Sequence, residues 1–236
     1  MSAAPGPRFK VGGVARTLLR QLSTILILAG LMLLADVGVT LLWQEPVSAV
    51  YAEWRQEALA DDLEELSTPR LDPAELEALE RLPLDTDRAA FLARALERRT
   101  EPGDAVGRIR IPEVGASTVI VEGTDSGSLR EGPGHYPETP LPGIRGTVAV
   151  AGHRTTYGAP FRDLDKLEER DEVVVEMPYG RFIYAVEREE IVDPSAVWVT
   201  RRVGHDRLVL TACHPKYSAA QRIVIFARLL RAEHVA

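Results

Sequence analysis

A single cysteine, Cys213, is the first candidate for chemistry in this chain of 236 residues. It follows the apolar run 208–212, which predicts a short buried strand. A polar connection containing Pro215 separates it from a second apolar run at 223–227. Two such strands are most simply antiparallel neighbours, which would place Cys213 close to Arg222 at the start of the second. A thiol beside a guanidinium at the rim of a sheet predicts a reactive centre.

The alternative interpretation of these two residues is structural. Most single cysteines are small buried hydrophobic residues, and an arginine at the start of a strand is usually a solvated charge. A functional cysteine needs an electropositive and partly exposed setting. Spacing alone therefore leaves both interpretations of Cys213 and Arg222 open.

A thiol nucleophile also needs a proton partner, which is usually a histidine. His153 is the favoured candidate, because it follows the apolar run 147–151 and Gly152 and so is expected at a sheet rim, like Cys213. His135, in a loop rich in proline and glycine, remains a second candidate, and a hydrogen-bonded loop role remains open for both. The other three histidines are expected to be solvated or structural, or to point to the opposite face of the strand from the thiol: His205, His234 and His214.

A set of cysteine, histidine and arginine suits acyl transfer. The cysteine attacks a carbonyl carbon, the histidine protonates the departing amine, and the arginine stabilises the oxyanion or holds the substrate backbone. An arginine does not donate the proton, because it stays charged at any working pH. The adjacent pair Cys213-His214 lacks the paired spacing of metal ligands, so we expect no metal and no cofactor.

The N-terminal part of the chain predicts a membrane anchor. Residues 22–43 are nearly all apolar and would extend about 33 Å as a helix, enough to cross the hydrocarbon core. Residues 1–21 carry four basic residues and no acid, so the N-terminus is expected in the cytoplasm and everything after Trp43 outside it. Asp36 lies toward the outer end, where an acid is tolerated. A cleaved signal peptide is the alternative, since residues 47–49 form a small-residue pattern.

The rest of the chain divides into two parts that differ in composition and in the predicted secondary structure. Residues 44–104 hold 16 acids and 7 bases, and the helical spacing of 51–66 and 73–98 predicts an acidic, mostly helical juxtamembrane linker. From residue 105 onward, short β-like runs between glycines and prolines predict a mainly β domain, a closed or nearly closed barrel over 105–236. This domain holds 18 acids and 17 bases without a basic stripe, which argues against nucleic-acid binding.

Two segments resemble a known family. Leu210-Thr211-Ala212-Cys213, with Arg222 nine residues later, resembles the TLxTC…R signature of sortases. Residues 149–155, AVAGHRT, resemble the sortase segment around the catalytic histidine. The longer strings AGHRTTYGAPFRDLDKL and CHPKYSAAQRIVI resemble class E sortases of high-GC Gram-positive bacteria. The resemblance covers roughly residues 105–232, and Ala212 departs from it, since the family often has threonine there.

The resemblance implies an eight-stranded sortase-type β-barrel with short helices and a membrane-anchored cysteine transpeptidase at the cell surface. Such an enzyme cleaves a C-terminal sorting signal, LAxTG more than LPxTG in class E, between Thr and Gly. The thioester formed on Cys213 is then resolved by an amino group of a peptidoglycan precursor, lipid II. In this scheme His153 is the general acid–base, and Arg222 orients the substrate on the oxyanion side.

The resemblance also implies residues that bind the sorting signal. Tyr136, in the segment 134–137, and Thr211, in the signature itself, are candidates. The loop 190–202 would border the signal groove, with Val197 and Trp198 as an apolar wall. Ordinary packing is the alternative for each of these side chains.

Three other functions stay open at this point. One is a sortase that polymerises pilins. Another is a cell-wall cysteine transpeptidase of the L,D type, although residues 211–215 do not match the SHGC-like motif of that class. The third, from a different class, is a membrane-tethered binding module in which the cysteine is inert.

Overall fold

The computed structural model describes residues 11–42, 46–66 and 71–234. The chain divides into two compact units, residues 1–46 and 47–236, which are described separately below. Two features of the predicted anchor lie outside the described residues: the first part of the basic N-terminus, with Arg8 and Lys10, and the interfacial Trp43.

The first unit contains one long helix, α1 (Val11–Leu42). Within it, the stretch Arg16–Gly38 has a mean hydropathy of 1.9, and this helix is long and apolar enough to cross a membrane. Large apolar side chains such as Leu26 and Leu34 are more than half exposed. A helix whose apolar side chains are exposed all round matches, by length and composition, the span predicted at 22–43.

The second unit begins with three helices, α2 (Pro46–Leu66), α3 (Pro73–Glu80) and α4 (Asp85–Glu97). Asp72 begins α3 with a capping box, in which its side chain accepts from the Glu75 backbone and the Glu75 side chain accepts from Asp72. The segment 73–98, in which the apolar spacing predicts helix interrupted at Pro83, forms the two helices α3 and α4. They separate around Pro83, which has no backbone N–H to continue a helix.

Helix α2 packs on the barrel wall. Leu59 is 1% exposed and contacts Ala105, Val119 and Val121. The Gln56 side chain pairs with both backbone groups of Val119: its Oε1 accepts from the amide at 2.6 Å and its Nε2 donates to the carbonyl at 3.2 Å. Part of the acidic segment 44–104 is therefore built into the second unit, while the predicted domain boundaries themselves stay a prediction.

The rest of the second unit is an eight-stranded closed barrel with strand order β1-β2-β3-β4-β7-β8-β6-β5, which confirms the predicted fold class. The strands are β1 (Ala105–Ile111), β2 (Ala116–Glu122), β3 (Gly134–His135), β4 (Thr147–Gly152), β5 (Glu172–Met177), β6 (Gly180–Val192), β7 (Arg207–His214) and β8 (Gln221–His234). Short helical turns interrupt the loops: α5 (Ser128–Glu131) and 3-10 turns at Pro112–Val114, Leu164–Lys166 and Val197–Thr200.

The sheet formed by β4, β7 and β8 positions the candidate residues. Strand β7 runs parallel to β4 and antiparallel to β8, so the predicted neighbours around Cys213 are confirmed. Alternate side chains of the three strands point to opposite faces. The inner face belongs to the barrel core: Val148, Val150, Leu208, Leu210, Ala212, Ile223 and Ile225. The outer face carries a smaller cluster, hereafter the outer cluster: Ala149, Val209, Val224 and Phe226, together with Val199 from the β6–β7 loop.

Candidate active site

Cys213 is the penultimate residue of β7 and its thiol is free and half-buried. It shares the alternation of Val209 in the outer cluster, so its side chain belongs to the outer face. Arg222 lies directly opposite it on β8 and shares the alternation of Val224 on the same face. Directly opposed residues of antiparallel strands have Cβ atoms about 5 Å apart, so the thiol and the guanidinium stem are neighbours.

His153 follows the last residue of β4. In the parallel ladder Gly152 is paired with Ala212, so His153 and Cys213 are the next residues on adjacent chains. Adjacent strands lie about 4.8 Å apart. The fold therefore brings the three residues proposed for catalysis to one end of one sheet, with Cys213 between the other two.

The surroundings of His153 keep its ring neutral near pH 7. Burial lowers the pKa of His153 below the ordinary value of 6.5. Its ring packs against Tyr157, with 5.2 Å between the ring centroids. Within the described ranges no carboxylate forms an ion pair with His153, so the histidine has no acidic partner of the kind found in a Ser-His-Asp triad.

Arg222 is a half-buried cation that retains unused donors. Its Nη1 donates to the backbone carbonyls of Ala219 and Gln221, both at 3.0 Å. Among the residues that the structure describes, no Asp or Glu forms a salt bridge with this guanidinium. A guanidinium has five N–H donors, so most of those on Arg222 remain for a carbonyl oxygen or an oxyanion.

Three other histidines have partners elsewhere, whereas the side chain of His234 lies outside the described part of the structure. His135 is 2% exposed; its Nδ1 lies 2.9 Å from Glu122 at the end of β2, and its Nε2 lies 3.3 Å from the Pro140 carbonyl in the loop before β4. His205 lies 3.6 Å from Glu187. His214 contacts Arg154 on the inner side of the sheet, as the strand alternation predicts. His153 is the histidine that the fold brings to Cys213.

The outer face beyond the thiol carries the residues that the sequence predicts to bind the sorting signal. Tyr136 packs on the outer cluster, and its hydroxyl lies 3.0 Å from the Thr211 hydroxyl, two residues before Cys213. These two residues, both predicted to bind substrate, thus form a hydrogen-bonded pair beside the thiol. Thr211 is buried, with 4% exposure, and Tyr136 is half-buried, so the tyrosine is the more accessible member of the pair.

The β6–β7 loop covers the other part of this face. Trp198 is 40% exposed and stacks on Phe226 of the outer cluster with ring centroids 6.1 Å apart. Val197 is 74% exposed and extends into solvent, so it does not cover the cluster in this structure. Sequence reasoning missed Arg207, a buried residue whose Nη2 donates to the carbonyls of Val199 and Arg201 and holds the loop in place.

The structure explains why a glycine precedes His153 in the string AVAGHRT. A Cβ atom at this position would lie 2.4 Å from the ring of Phe161. The Phe161 amide in turn donates to the His153 carbonyl at 3.0 Å. The absence of a side chain at Gly152 therefore lets Phe161 pack under the histidine and fix its backbone.

Among the described residues no three His, Cys, Asp or Glu side chains are grouped as metal ligands would be. The groups assembled at the site are a thiol, an imidazole, a guanidinium and two hydroxyls. They are suited to nucleophilic attack on a carbonyl carbon, proton transfer and stabilisation of an oxyanion.

Comparison with known proteins decides which family this geometry belongs to. The family model described as Sortase domain matches residues 109–230, more than half of the chain and nearly all of the barrel. The chain belongs to the sortase family. Members of this family are cysteine transpeptidases. The match includes the Cys213, His153 and Arg222 positions.

Curated relatives support the same family. Sortase D of Bacillus subtilis is 34% identical over 134 residues, which are 55% of this chain and 66% of the relative. Sortase SrtE1 of Streptomyces coelicolor is 32% identical over 146 residues, which are 55% of this chain and 42% of that protein. This sortase therefore spans less than two thirds of either relative's length.

Solved structures resemble the barrel. The crystal structure of sortase E1 from Streptomyces coelicolor, with a tripeptide in its active site, has a TM-score of 0.54 and 30% identity and covers 57% of this chain and 93% of that one. Sortase E from Streptomyces avermitilis has a TM-score of 0.53 and 33% identity over the same shares. The resemblance to class E sortases predicted from the sequence is thus confirmed.

Proposed function

We propose that this sortase is a membrane-anchored transpeptidase that acts on an LAxTG or LPxTG-like C-terminal sorting signal. It cleaves the signal between Thr and Gly through a thioester on Cys213 and transfers the protein to an amino group of a peptidoglycan precursor such as lipid II. One observation carries the proposal: Cys213 pairs with Arg222 across β7 and β8, and His153 follows β4 beside the chain of Cys213 at the same end of the sheet.

In the first half-reaction the Cys213 sulfur attacks the threonine carbonyl carbon of the signal, and its proton passes to His153. Burial lowers the pKa of His153, so the neutral ring is available to accept this proton near pH 7. The C–N bond to glycine then breaks as His153 gives the proton to the departing amine, which leaves a thioester. Arg222 donates to the oxyanion or to the neighbouring substrate carbonyl.

In the second half-reaction the amino group of the precursor attacks the thioester carbonyl. His153 accepts the amine proton, the new amide bond forms, and the Cys213 sulfur leaves and regains its proton from the imidazole. Atoms balance over the cycle, because one amide bond is exchanged for another without water, an oxidant or a reductant.

The signal would lie on the outer face, on a floor that includes Ala149 and Val224. The hydroxyl pair Tyr136–Thr211, at 3.0 Å, would contact the residues before the scissile threonine, and the β6–β7 loop with Trp198 and Val197 would form the opposite wall. The small Thr211 side chain at the floor suits a small residue in the second position of the signal, which supports the LAxTG type.

The activity is tested by incubating the purified full-length protein with an LAxTG peptide and an amine acceptor, and in parallel with a peptidoglycan stem peptide. We expect cleavage between Thr and Gly and a new amide with the acceptor from the first mixture only. Products from the stem peptide alone would assign the chain to L,D transpeptidation instead. No product from either mixture would favour a binding module with an inert cysteine.

The proposed location is the cell membrane, with a single pass through α1, the N-terminus in the cytoplasm and the barrel outside. The chain has one cysteine, so a membrane-impermeant maleimide reports directly on the side where Cys213 lies. We expect labelling in intact protoplasts. A Cys213→Ser protein with a cysteine introduced at Ser2 is the matched control, which should label only after lysis; the reverse pattern would invert the topology.

A further inference from the structure

A buried arginine stands immediately after the candidate catalytic histidine. Arg154 is 2% exposed, although charged side chains are seldom buried unless they are paired. It follows His153 in the chain and belongs to the opposite, inner side of the sheet end. The roles proposed above for Cys213, His153 and Arg222 do not involve it, so its burial needs another explanation.

The guanidinium of Arg154 joins two separate parts of the site. Its Nη1 donates to the Cys213 carbonyl at 3.4 Å and to Nδ1 of His214 at 3.2 Å. Arginine is only a donor, so Nδ1 of His214 is the acceptor in this contact. The Nε donates to the Arg162 carbonyl at 3.4 Å within its own loop. One side chain from the histidine loop therefore holds the strand end that carries the thiol.

A shared carboxylate extends this connection. The Nη2 of Arg154 lies 2.9 Å from Asp165, and Lys216 from the β7–β8 loop lies 3.4 Å from the same carboxylate oxygen. Lys216 also lies 3.2 Å from Asp163. Burial alone would raise the pKa of Asp165, but the hydrogen bond and charge of Arg154 lower it below the ordinary range, so the carboxylate stays ionised. The loops after β4 and β7 are thus cross-linked by charge.

The position of this cross-link matters because the sheet ends there. The β4–β7 ladder stops at the pair Gly152–Ala212. Beyond that pair the described residues of the two strands form no further ladder pair, so the ladder does not fix the chain of His153 relative to the chain of Cys213. Arg154 supplies its contact to the Cys213 carbonyl at this point, one residue past the end of the ladder.

We propose that Arg154 is a positioning residue, which holds the Cys213 strand end against the histidine loop and thereby sets the approach of the imidazole to the thiol. The proposal rests on the function proposed above for Cys213 and His153. Its expected size is large, because a displacement of about 1 Å between reacting groups costs about 100-fold in rate. Arg154 itself touches neither the substrate nor the reacting atoms.

The test compares Arg154→Met and Arg154→Lys with wild type in the full-length protein, by kcat and KM for peptide cleavage. We expect Arg154→Met to lower kcat about 100-fold with little change in KM, since the groove floor on the outer face is untouched. Arg154→Lys should recover part of the loss, because an ammonium is able to donate to the Cys213 carbonyl. Arg162→Met is the matched control: it removes a guanidinium from the same loop that makes no hydrogen bond to β7 in the described part of the chain, and it should stay near wild type.

A second measurement separates positioning from general loss of structure and needs no peptide substrate. The rate of Cys213 alkylation by iodoacetamide is followed in wild type, His153→Ala, Arg154→Met and the double variant. If Arg154 acts through His153, Arg154→Met reproduces the change caused by His153→Ala and adds little to it in the double variant.

Additive effects on alkylation, or a wild-type rate in Arg154→Met, would overturn the proposal. An unchanged kcat in Arg154→Met would overturn it as well. Because alkylation reads the thiol directly, it still decides the role of Arg154 if the proposed peptide substrate is wrong.

Discussion

The two faces of the sheet formed by β4, β7 and β8 differ in what they demand of their side chains. The inner face is fully packed, with Leu208, Leu210 and Ile225 at 0% exposure in the barrel core. The outer face is apolar in the middle, where Val209 and Val224 are covered by a loop, and half-exposed at its end, where Cys213 and Arg222 lie. Packing of the inner face thus fixes the register of the strands. That register places Cys213 opposite Arg222 at the exposed end of the outer face.

The comparison shows that a cysteine placed one position earlier in β7 would lie on the inner face, where its thiol would be buried and inert. Side chains alternate between faces, so the inner neighbour of Cys213 is Ala212, which is 3% exposed in the core. The same core holds the strands so that Cys213, Arg222 and the chain of His153 meet. Substitutions that move, remove or crowd a group on either face therefore test this difference between the two faces.

The largest effect is expected from moving the thiol by one residue. In the double variant Cys213→Ala with Ala212→Cys, the sulfur remains in the strand but enters the core face. We expect no thioester, no peptide cleavage and no alkylation under native conditions, while melting stays near that of Cys213→Ala alone. Alkylation is measured by mass spectrometry, and a reactive thiol at position 212 would show that the face does not decide reactivity.

Removing the outer-face cation is expected to have the next largest effect. Arg222→Ala should lower turnover by about 100- to 1,000-fold, the range for one lost contact on the oxyanion side. Steady-state kinetics with the LAxTG peptide measures it. Arg228→Ala is the matched control, an exposed arginine further along the same strand that pairs with Glu187. A wild-type rate for Arg222→Ala would assign this residue to structure.

A change on the inner side should affect stability first. In Gly152→Ala the new Cβ would lie 2.4 Å from the Phe161 ring, so the ring or the strand must shift. We expect a loss of about 1–3 kcal/mol in the free energy of unfolding, the usual cost of overpacking. Denaturant unfolding measures the loss, and Phe161→Leu in the same chain should restore part of it. Full stability in the single variant would show that no close packing exists there.

The smallest effect concerns pH and His153. Burial lowers its pKa in the folded state below the unfolded value of 6.5, so the unfolded chain takes up the proton first as pH falls. The contribution of His153 to the free energy of unfolding is therefore fully present above pH 6.5. It is lost as the pH falls from 6.5 through the pKa of the folded state. In His153→Asn the decrease of Tm on acidification should be smaller than in wild type. An equal decrease in both proteins would mean that His153 is not desolvated.

Much of this arrangement was predictable from the residues. The apolar runs on either side of Cys213 predicted two antiparallel strands, because buried strands are short, apolar and bounded by turn residues. The same reasoning found the barrel class. It gave β8 too short, as 223–227 against Gln221–His234, because residues such as Arg231 and Glu233 continue the strand with polar outward side chains.

Other parts were not predictable, since they depend on contacts between distant segments. The excess of acidic residues in 44–104 predicted a solvated linker. In the structure, however, Gln56 and Leu59 of this segment pack against a strand about 60 residues later in the chain. A buried role for Arg154 was hidden for a similar reason: an arginine after a strand is normally solvated. The string Gly152-His153-Arg154 was present in the sequence, but the partners of the buried arginine, Asp165, His214 and the carbonyl of Cys213, come from distant parts of the chain.

The central claim is that thiol, imidazole and guanidinium act together at the outer end of this sheet. Its most direct test is mass spectrometry of the full-length protein mixed with an LAxTG peptide in the absence of an amine acceptor, followed by digestion. We predict an adduct whose mass corresponds to the peptide cleaved after Thr, carried by the fragment with Cys213 and released when an amine is added. An adduct on another residue, or one that persists in Cys213→Ala, would contradict it.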